Sequence, residues 1–186
     1  MTRVGLLSDT HGTLLPELLE VFADCEEIWH AGDVGDTRIL DSLQEIKPVR
    51  AVWGNIDDTE MRQRLPEDLV FQAGGARVLL SHIVGHPGRL HRRAKALLLK
   101  YDPDLVIYGH SHILRLDYQQ KSQTLFVNPG AVGNQGMHQI RTVMKFRLQD
   151  RLIDEFQILE LGNRGTKSES VTKIVSMDPW PLRPKT

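Results

Sequence analysis

The chain has 186 residues, 40% of them hydrophobic and 25% charged, with a formal net charge of −1. That balance suits one globular domain with a buried core, and near-neutral charge argues against a dedicated nucleic-acid binder with a net basic face. Cys25 is the lone cysteine, which excludes an intramolecular disulfide; no apolar run approaches the roughly 18 residues that span a bilayer, and no signal-peptide pattern precedes the first strand, so a cytoplasmic setting without membrane attachment is expected.

In chain order, Val4 to Ser8 reads as a buried strand. Thr13 reads as the cap of a helix with Leu14, Leu15, Leu18, Leu19 and Phe22 on one stripe. Glu27 to His30 is a second strand, Thr37 to Ile46 a second amphipathic helix that stops before Pro48, and Val49 to Trp53 a third strand. The alternation implies parallel strands with right-handed crossovers. The pattern then changes. Leu69 to Gln72 and Arg77 to Ser81 flank Gly74-Gly75 as a hairpin. Arg89 to Tyr101 reads as helix and Leu105 to Tyr108 as strand. Leu114 to Gln119, Thr124 to Val127, Arg141 to Leu148 and Leu152 to Leu161 read as strands joined by short turns. The expected fold is α/β: two packed mixed β-sheets, a β-sandwich, flanked by helices. Residues 1–161 form the expected domain. From Gly162 the pattern fails, and 162–186 read as a tail, mobile or docked through Val171 to Val175 and Trp180 on a surface or a partner subunit.

Five polar clusters follow strand-like segments: Asp9-Thr-His11, Asp33 after Ala31-Gly32, Asn55 after Gly54, His82 after Leu80-Ser81, and His110-Ser-His112. Ligands in open α/β sheets gather beyond the carboxyl ends of strands, so the clusters can converge. Two carboxylates, an amide oxygen and four imidazoles suit a pair of borderline divalent cations such as Mn, Zn, Fe, Ni or Co. Without a cation they would form a costly, mutually repelling group. Asp33 is the natural bridge between two cations, which then sit roughly 3.5–4 Å apart, the spacing of two-metal phosphoryl chemistry.

Asp9-x-His11, Gly32-Asp33, Gly54-Asn55, His82 and Gly109-His110-Ser-His112, in that order, resemble the motif set of the calcineurin-like metallophosphoesterases. Gly54-Asn55-Ile-Asp57 and Asn128-Pro129-Gly130-Ala131-Val132-Gly133 resemble the small bacterial and archaeal phosphodiesterase branch. The resemblance implies the four-layer fold of that superfamily and two divalent metal ions, with Mn first among the candidates. It implies Asp9, His11 and His112 on the first metal, Asn55, His82 and His110 on the second, and Asp33 on both. It further implies phosphate-ester hydrolysis by direct attack of a metal-bridging hydroxide, with a phosphodiester the leading substrate. Alternatives are a phosphomonoesterase or nucleotide pyrophosphatase with the same centre, or a non-catalytic scaffold like the retromer subunit of this superfamily. The expected partner is a small phosphate ester or nucleotide-like molecule, not a stable nucleic-acid complex, and a homo-oligomer is compatible with the strand-rich second half.

Three departures from the family pattern matter. Ile56 and Asp57 stand where many relatives carry His-Glu, so Asp57 becomes the candidate to protonate the leaving group or orient a ligand. The expected catalytic set is thus Asp33, Asn55, Asp57 and His82, and low-pKa leaving groups are favoured. His86 falls two residues beyond the second histidine of the usual segment; together with Asn55 it is a substrate-binding candidate at the pocket rim. Ala131 replaces a serine, which makes its segment a structural turn. Blander readings apply elsewhere. His30 reads as a hydrogen-bonded structural histidine, Trp29 and Trp53 as packing, and Arg89 to Lys95 as a solvated helix face. His138 can line the pocket. Arg38, Arg62 and Arg89 are the candidates for a phosphate clamp.

Overall fold

A computed structural model describes residues 1–166 and 171–182. Its elements run β1 (Thr2–Leu7), α1 (Glu17–Val21), β2 (Glu27–His30), α2 (Thr37–Ile46), β3 (Val49–Ala51), α3 (Thr59–Arg64), β4 (Asp68–Ala73), β5 (Ala76–Ser81), β6 (Gly85–His86) and β7 (Arg89–Leu90). They continue with α4 (Arg92–Tyr101), β8 (Leu105–Ile107), β9 (Leu114–Gln119), β10 (Thr124–Pro129), β11 (Ile140–Gln149), β12 (Leu152–Asn163), β13 (Lys173–Met177) and β14 (Trp180–Pro181). One sheet has the order β13-β12-β11-β1-β2-β3, with β14 also on β12; the other is β4-β5-β8-β10-β9. Within the first, β1, β2 and β3 are parallel and β11, β12 and β13 antiparallel. Within the second, β5, β8 and β10 are parallel, with β4 and β9 antiparallel at the edges.

Alternation along the strands builds the layers. Val4 and Leu6 of β1 face Val78, Leu80, Leu105 and Ile107 of the second sheet in the core between the sheets. Leu7 turns outward and packs with Leu18, Phe22, Ile39, Leu40 and Leu43 beneath α1 and α2. On the far face of the second sheet, Leu79, Val106 and Phe126 meet Ala94 of α4. The expected sandwich with outer helices is the one observed. No helix among the described residues is long and apolar enough to cross a membrane.

Four segments differ from their sequence reading. Helix α1 begins only at Glu17, with Pro16 at its N-cap; the residue before a proline is pushed out of the helical region, so Leu14 and Leu15 stay in the loop. Residues 85–90 form the small β6–β7 hairpin, where Gly85 and Gly88 adopt φ of 84° and 96°. Helix α4 therefore starts at Arg92, after His91. The short α3, capped by the Asp58 carboxylate on the Met61 N–H, has no counterpart in the expected elements. Most consequentially, Lys173 to Met177 are not part of an unpatterned tail: they add an antiparallel strand to β12 of the same chain, from Phe156↔Met177 to Glu160↔Lys173.

His30, at the end of β2, is fully buried. The Thr10 hydroxyl donates to the Val34 carbonyl (2.9 Å), so it receives the His30 Nε2–H (3.0 Å), while the Gly32 N–H donates to His30 Nδ1 (3.1 Å). Both nitrogens are used by a neutral ring, and burial pushes its pKa down to about 4. It is the structural histidine expected.

Two stability predictions follow from this packing. A Cβ on Gly5 would collide with the Phe22 ring, so Gly5→Ala should destabilise by about 1–3 kcal/mol in urea unfolding. For His30, the unfolded chain binds a proton near 6.5 and the folded chain only near 4, so its contribution is complete above pH 6.5 and declines as pH falls towards 4. Unfolding free energies at pH 7.5 and 4.5 should show wild type losing about 2–3 kcal/mol more than His30→Gln across that interval.

Candidate metal centre

The parallel strands of both sheets end on one rim. Asp9 and His11 follow β1, Asp33 follows β2, Asn55 follows β3, His82 follows β5, and His110 and His112 follow β8. The loops are tied together by backbone hydrogen bonds: Asp9 N–H to Gly32 O (3.0 Å), His11 N–H to Asp33 O (3.0 Å), and Gly109 N–H to His82 O (3.1 Å). The His110 N–H donates to the Asp9 carboxylate at 3.2 Å and bridges the two sheets. From behind, Val132 and Gly133 donate to the carbonyls of Ser8 and Asp9 (3.2 and 2.9 Å), so the Asn128–Gly133 segment is the structural turn expected from Ala131.

Two ligand groups result. Asp9, His11, Asp33 and His112 form one; Asp33, His82 and His110 form the other; the offered atoms within each lie within 4.8 Å of one another. Asp33 belongs to both. Its Oδ2 is 3.5 Å from His11 Nε2 and its Oδ1 is 3.2 Å from His82 Nε2. Asp9 Oδ1 lies 3.2 Å from His112 Nε2. Asn55 Oδ1 completes the second group, 3.1 Å from His82 Nε2. The seven residues expected as ligands thus lie together at one rim, Asn55 through its contact with His82.

The donor set fits divalent cations. His11 Nε2 and His112 Nε2 face each other at 3.2 Å, an arrangement that two neutral rings tolerate only with a shared proton or a cation between them. His82 Nδ1 sits 2.7 Å from the Ala31 carbonyl; an Nδ1–H donated there leaves the Nε2 lone pair directed at Asp33 and Asn55, the orientation a metal-ligating imidazole needs. Charges are already coupled. Burial raises the Asp33 carboxyl, but the His82 hydrogen bond and charge and the Ile56 N–H (3.1 Å) bring it below its usual range. Burial opposes protonation of His82, yet the hydrogen bond its ring donates to Asp33 and the charge of Asp9 raise its pKa. The Asp9 hydrogen bond raises His112. Burial lowers His11 and His110, and the neighbouring histidine charges add to that effect.

The backbone is held in an unusual state. Asp9, His11, Asp33, His110 and His112 all have positive φ, between 47° and 68°. Left-handed backbone in non-glycine residues clusters at functional sites, where surrounding structure sustains the strain. Two glycines leave the room required: a Cβ on Gly54 would overlap the Asp33 carboxylate, and one on Gly109 the Ser8 hydroxyl.

Of the two roles read for Asp57, protonating the leaving group or orienting a ligand, its geometry suits the second. It is buried, and its two oxygens accept from the N–H groups of Val34 (3.2 Å), Gly35 (2.7 Å) and Gly54 (2.8 Å). This clamp fixes the Asp33 and Asn55 loops against each other; a carboxylate so committed positions ligands and is not aimed at a leaving group. His86 is exposed on β6 and lines a cavity of about 150 Å³ with Tyr108, His110, Ser111 and Arg115. Arg38 points to solvent in an ion pair with Asp36. Arg62 is tied to the carbonyls of Asp57 and Asn55 (2.8 and 3.2 Å) and stacks on Trp53.

The sequence reading missed Ser8, whose hydroxyl donates to Asp9 Oδ2 at 2.6 Å, and Asn128, whose amide donates to the Gly109 carbonyl at 2.8 Å. Their signal was adjacency to a ligand and membership of the structural turn. His138 stacks edge-on against His112, with ring centroids 5.2 Å apart.

Comparison with known proteins agrees with this geometry. The calcineurin-like phosphoesterase superfamily domain matches residues 2–151. A probable metallophosphoesterase of Methanothermobacter thermautotrophicus is 31% identical over 133 residues, 69% of this chain and 76% of that protein. The fold is shared with a Vps29 single mutant from Entamoeba histolytica (TM-score 0.70, 21% identity, 95% of this chain and 99% of the other). It is also shared with a structurally and functionally characterised archaeal phosphodiesterase (TM-score 0.68, 21% identity, 86% and 99%). With its ordered motifs, its rim of converging ligands and a family domain spanning most of its length, the chain belongs to the calcineurin-like phosphoesterase superfamily.

Proposed function

We propose that the protein is a binuclear metal-dependent phosphodiesterase acting on a small or nucleotide-like diester, with Mn the leading candidate for both cations. One observation carries this reading: Asp33 belongs at once to both ligand groups. A pair of divalent cations so held supplies a water nucleophile at neutral pH and offsets charge on the phosphate oxygens.

The chain's own residues then do the following. Asp9, His11 and His112 hold one cation, and Asn55, His82 and His110 the other. The Ala31 carbonyl keeps His82 in the ligating tautomer. Asp57 and Arg62 hold the Asn55 loop in place. Asp57, committed to three backbone N–H groups, does not supply a proton to the leaving oxygen, which favours esters whose alcohol departs without one.

Diester over monoester is supported by the cavities. One, of about 300 Å³, is lined by Asn55 and His82; the other, of about 150 Å³, by His110 and His86. The Asn55–His82–His110 half of the centre thus borders two recesses, suited to an ester with two organic arms. His86, on the rim of the smaller recess, is a substrate contact in this reading. A likeness to Vps29 bears on the fold; the complete ligand set favours a metal-loaded enzyme over a scaffold.

Two predictions test this. Mn should raise the thermal midpoint and support hydrolysis of bis-(p-nitrophenyl) phosphate over p-nitrophenyl phosphate; chelator should reverse both effects, and Asp33→Asn should lower diester kcat at least ~100-fold. Chelator-resistant turnover would defeat the reading. Asp57→Asn should cost about 1–3 kcal/mol of stability and lower kcat while leaving the shape of the pH–rate profile unchanged; loss of an acidic requirement from that profile would instead make Asp57 the proton donor.

A further inference from the structure

The larger recess has a chemical character of its own. Beside Asn55 and His82 it is lined by Trp53, Ile83, His91 and Arg92, which decide what fits. Trp53 immediately precedes the Gly54-Asn55 ligand loop and is half-buried, unlike Trp29, which is wholly enclosed in the core. The Arg62 guanidinium lies 4.6 Å from the Trp53 ring centroid and is itself anchored to two backbone carbonyls. The indole is therefore a braced, pre-set aromatic wall rather than a loose surface ring. Of the recess's charged groups, Arg93 and Glu67 neutralise each other, and Arg93 also pairs with Asp68. Arg92 is exposed and has no ion-pair partner among the described residues, and His91 beside it is exposed as well.

An aromatic wall, an apolar Ile83 side chain and an uncommitted planar guanidinium, next to two ligands of the metal centre, match a flat ring that carries hydrogen-bond acceptors. The volume is at the small end for an organic ligand site, enough for one such group. Resting on the phosphodiesterase reading above, we propose that this recess is a nucleoside subsite: one arm of the diester is a nucleoside whose base packs on Trp53 and whose acceptors face Arg92. The segment Arg89 to Lys95, read from sequence as a solvated helix face, then contributes specificity through Arg92.

The test holds the leaving group constant. Hydrolysis of thymidine 5′-(p-nitrophenyl) phosphate and ethyl p-nitrophenyl phosphate by the Mn-loaded full chain is compared in wild type, Trp53→Leu and Arg92→Gln. Wild type should favour the thymidine ester roughly tenfold or more in kcat/KM, through KM, and each variant should narrow that ratio to about threefold or less. Arg92 is exposed on the first turn of α4, so its variant keeps the test open if Trp53→Leu disturbs the Asn55 loop. In parallel, thymidine 5′-monophosphate should quench tryptophan fluorescence saturably in wild type and not in Trp53→Phe. Metal-dependent hydrolysis of both esters with an unchanged ratio in the variants, or quenching that survives in Trp53→Phe, overturns the subsite and leaves the phosphodiesterase reading standing. No hydrolysis with any divalent cation, but quenching lost with Trp53, defeats that reading and supports the subsite.

Discussion

Everything at the rim depends on where Asp33 is held. One carboxylate faces His11 with one oxygen and His82 with the other. The chain achieves this by taking Asp33 into left-handed backbone, placing Gly54 where any side chain would collide with it, and donating the Ile56 N–H to its Oδ1. Asp57 then ties the Gly54 and Val34–Gly35 backbones together. Moving the carboxylate slightly would separate the two ligand groups into two weaker sites.

The cost of this arrangement is spread over the loops. Five ligand residues have positive φ, each at a cost on the order of 1–3 kcal/mol, and several ring nitrogens converge within hydrogen-bonding distance. What offsets the strain lies behind the rim. The parallel strands are buried at their carboxyl ends, the loops are zipped to one another, and the Asn128–Gly133 turn supports the Asp9 loop. Bound cations would relieve the remaining repulsion, which links metal loading to the stability of the whole rim.

The sheets also explain why the ligands meet. Parallel strands put their carboxyl ends at one edge, and both sheets have such a parallel portion: β1–β2–β3 in one, β5–β8 in the other. Packing the sheets face to face brings the two edges together, and the His110 N–H to Asp9 hydrogen bonds fix them. The antiparallel strands lie outside the rim and build breadth, including β13 at the outer edge.

The sequence by itself determined the layers and the ligand list. Apolar runs of strand length and helices of 3.6-residue period dictate which faces are buried, and the Asp, Asn and His clusters announce themselves because each follows such a run, most of them with a glycine in or beside the cluster. It did not determine roles that depend on where a side chain points. From its motif Asp57 could be either a proton donor or a residue that orients a ligand, and only folding chooses the second, by committing its oxygens to backbone N–H groups. Trp53 packs against the core beneath the helices, as its sequence reading has it, and only the juxtaposition of β3, α3 and α4 also leaves it on a recess beside Arg92. Lys173 to Met177 overlap a segment read only as a possible docking stretch of the tail, because an edge strand with both faces exposed needs no hydrophobic alternation to mark it as a strand. Its pairing is decided by the free edge of β12, a long-range hydrogen-bonding opportunity that no local pattern encodes.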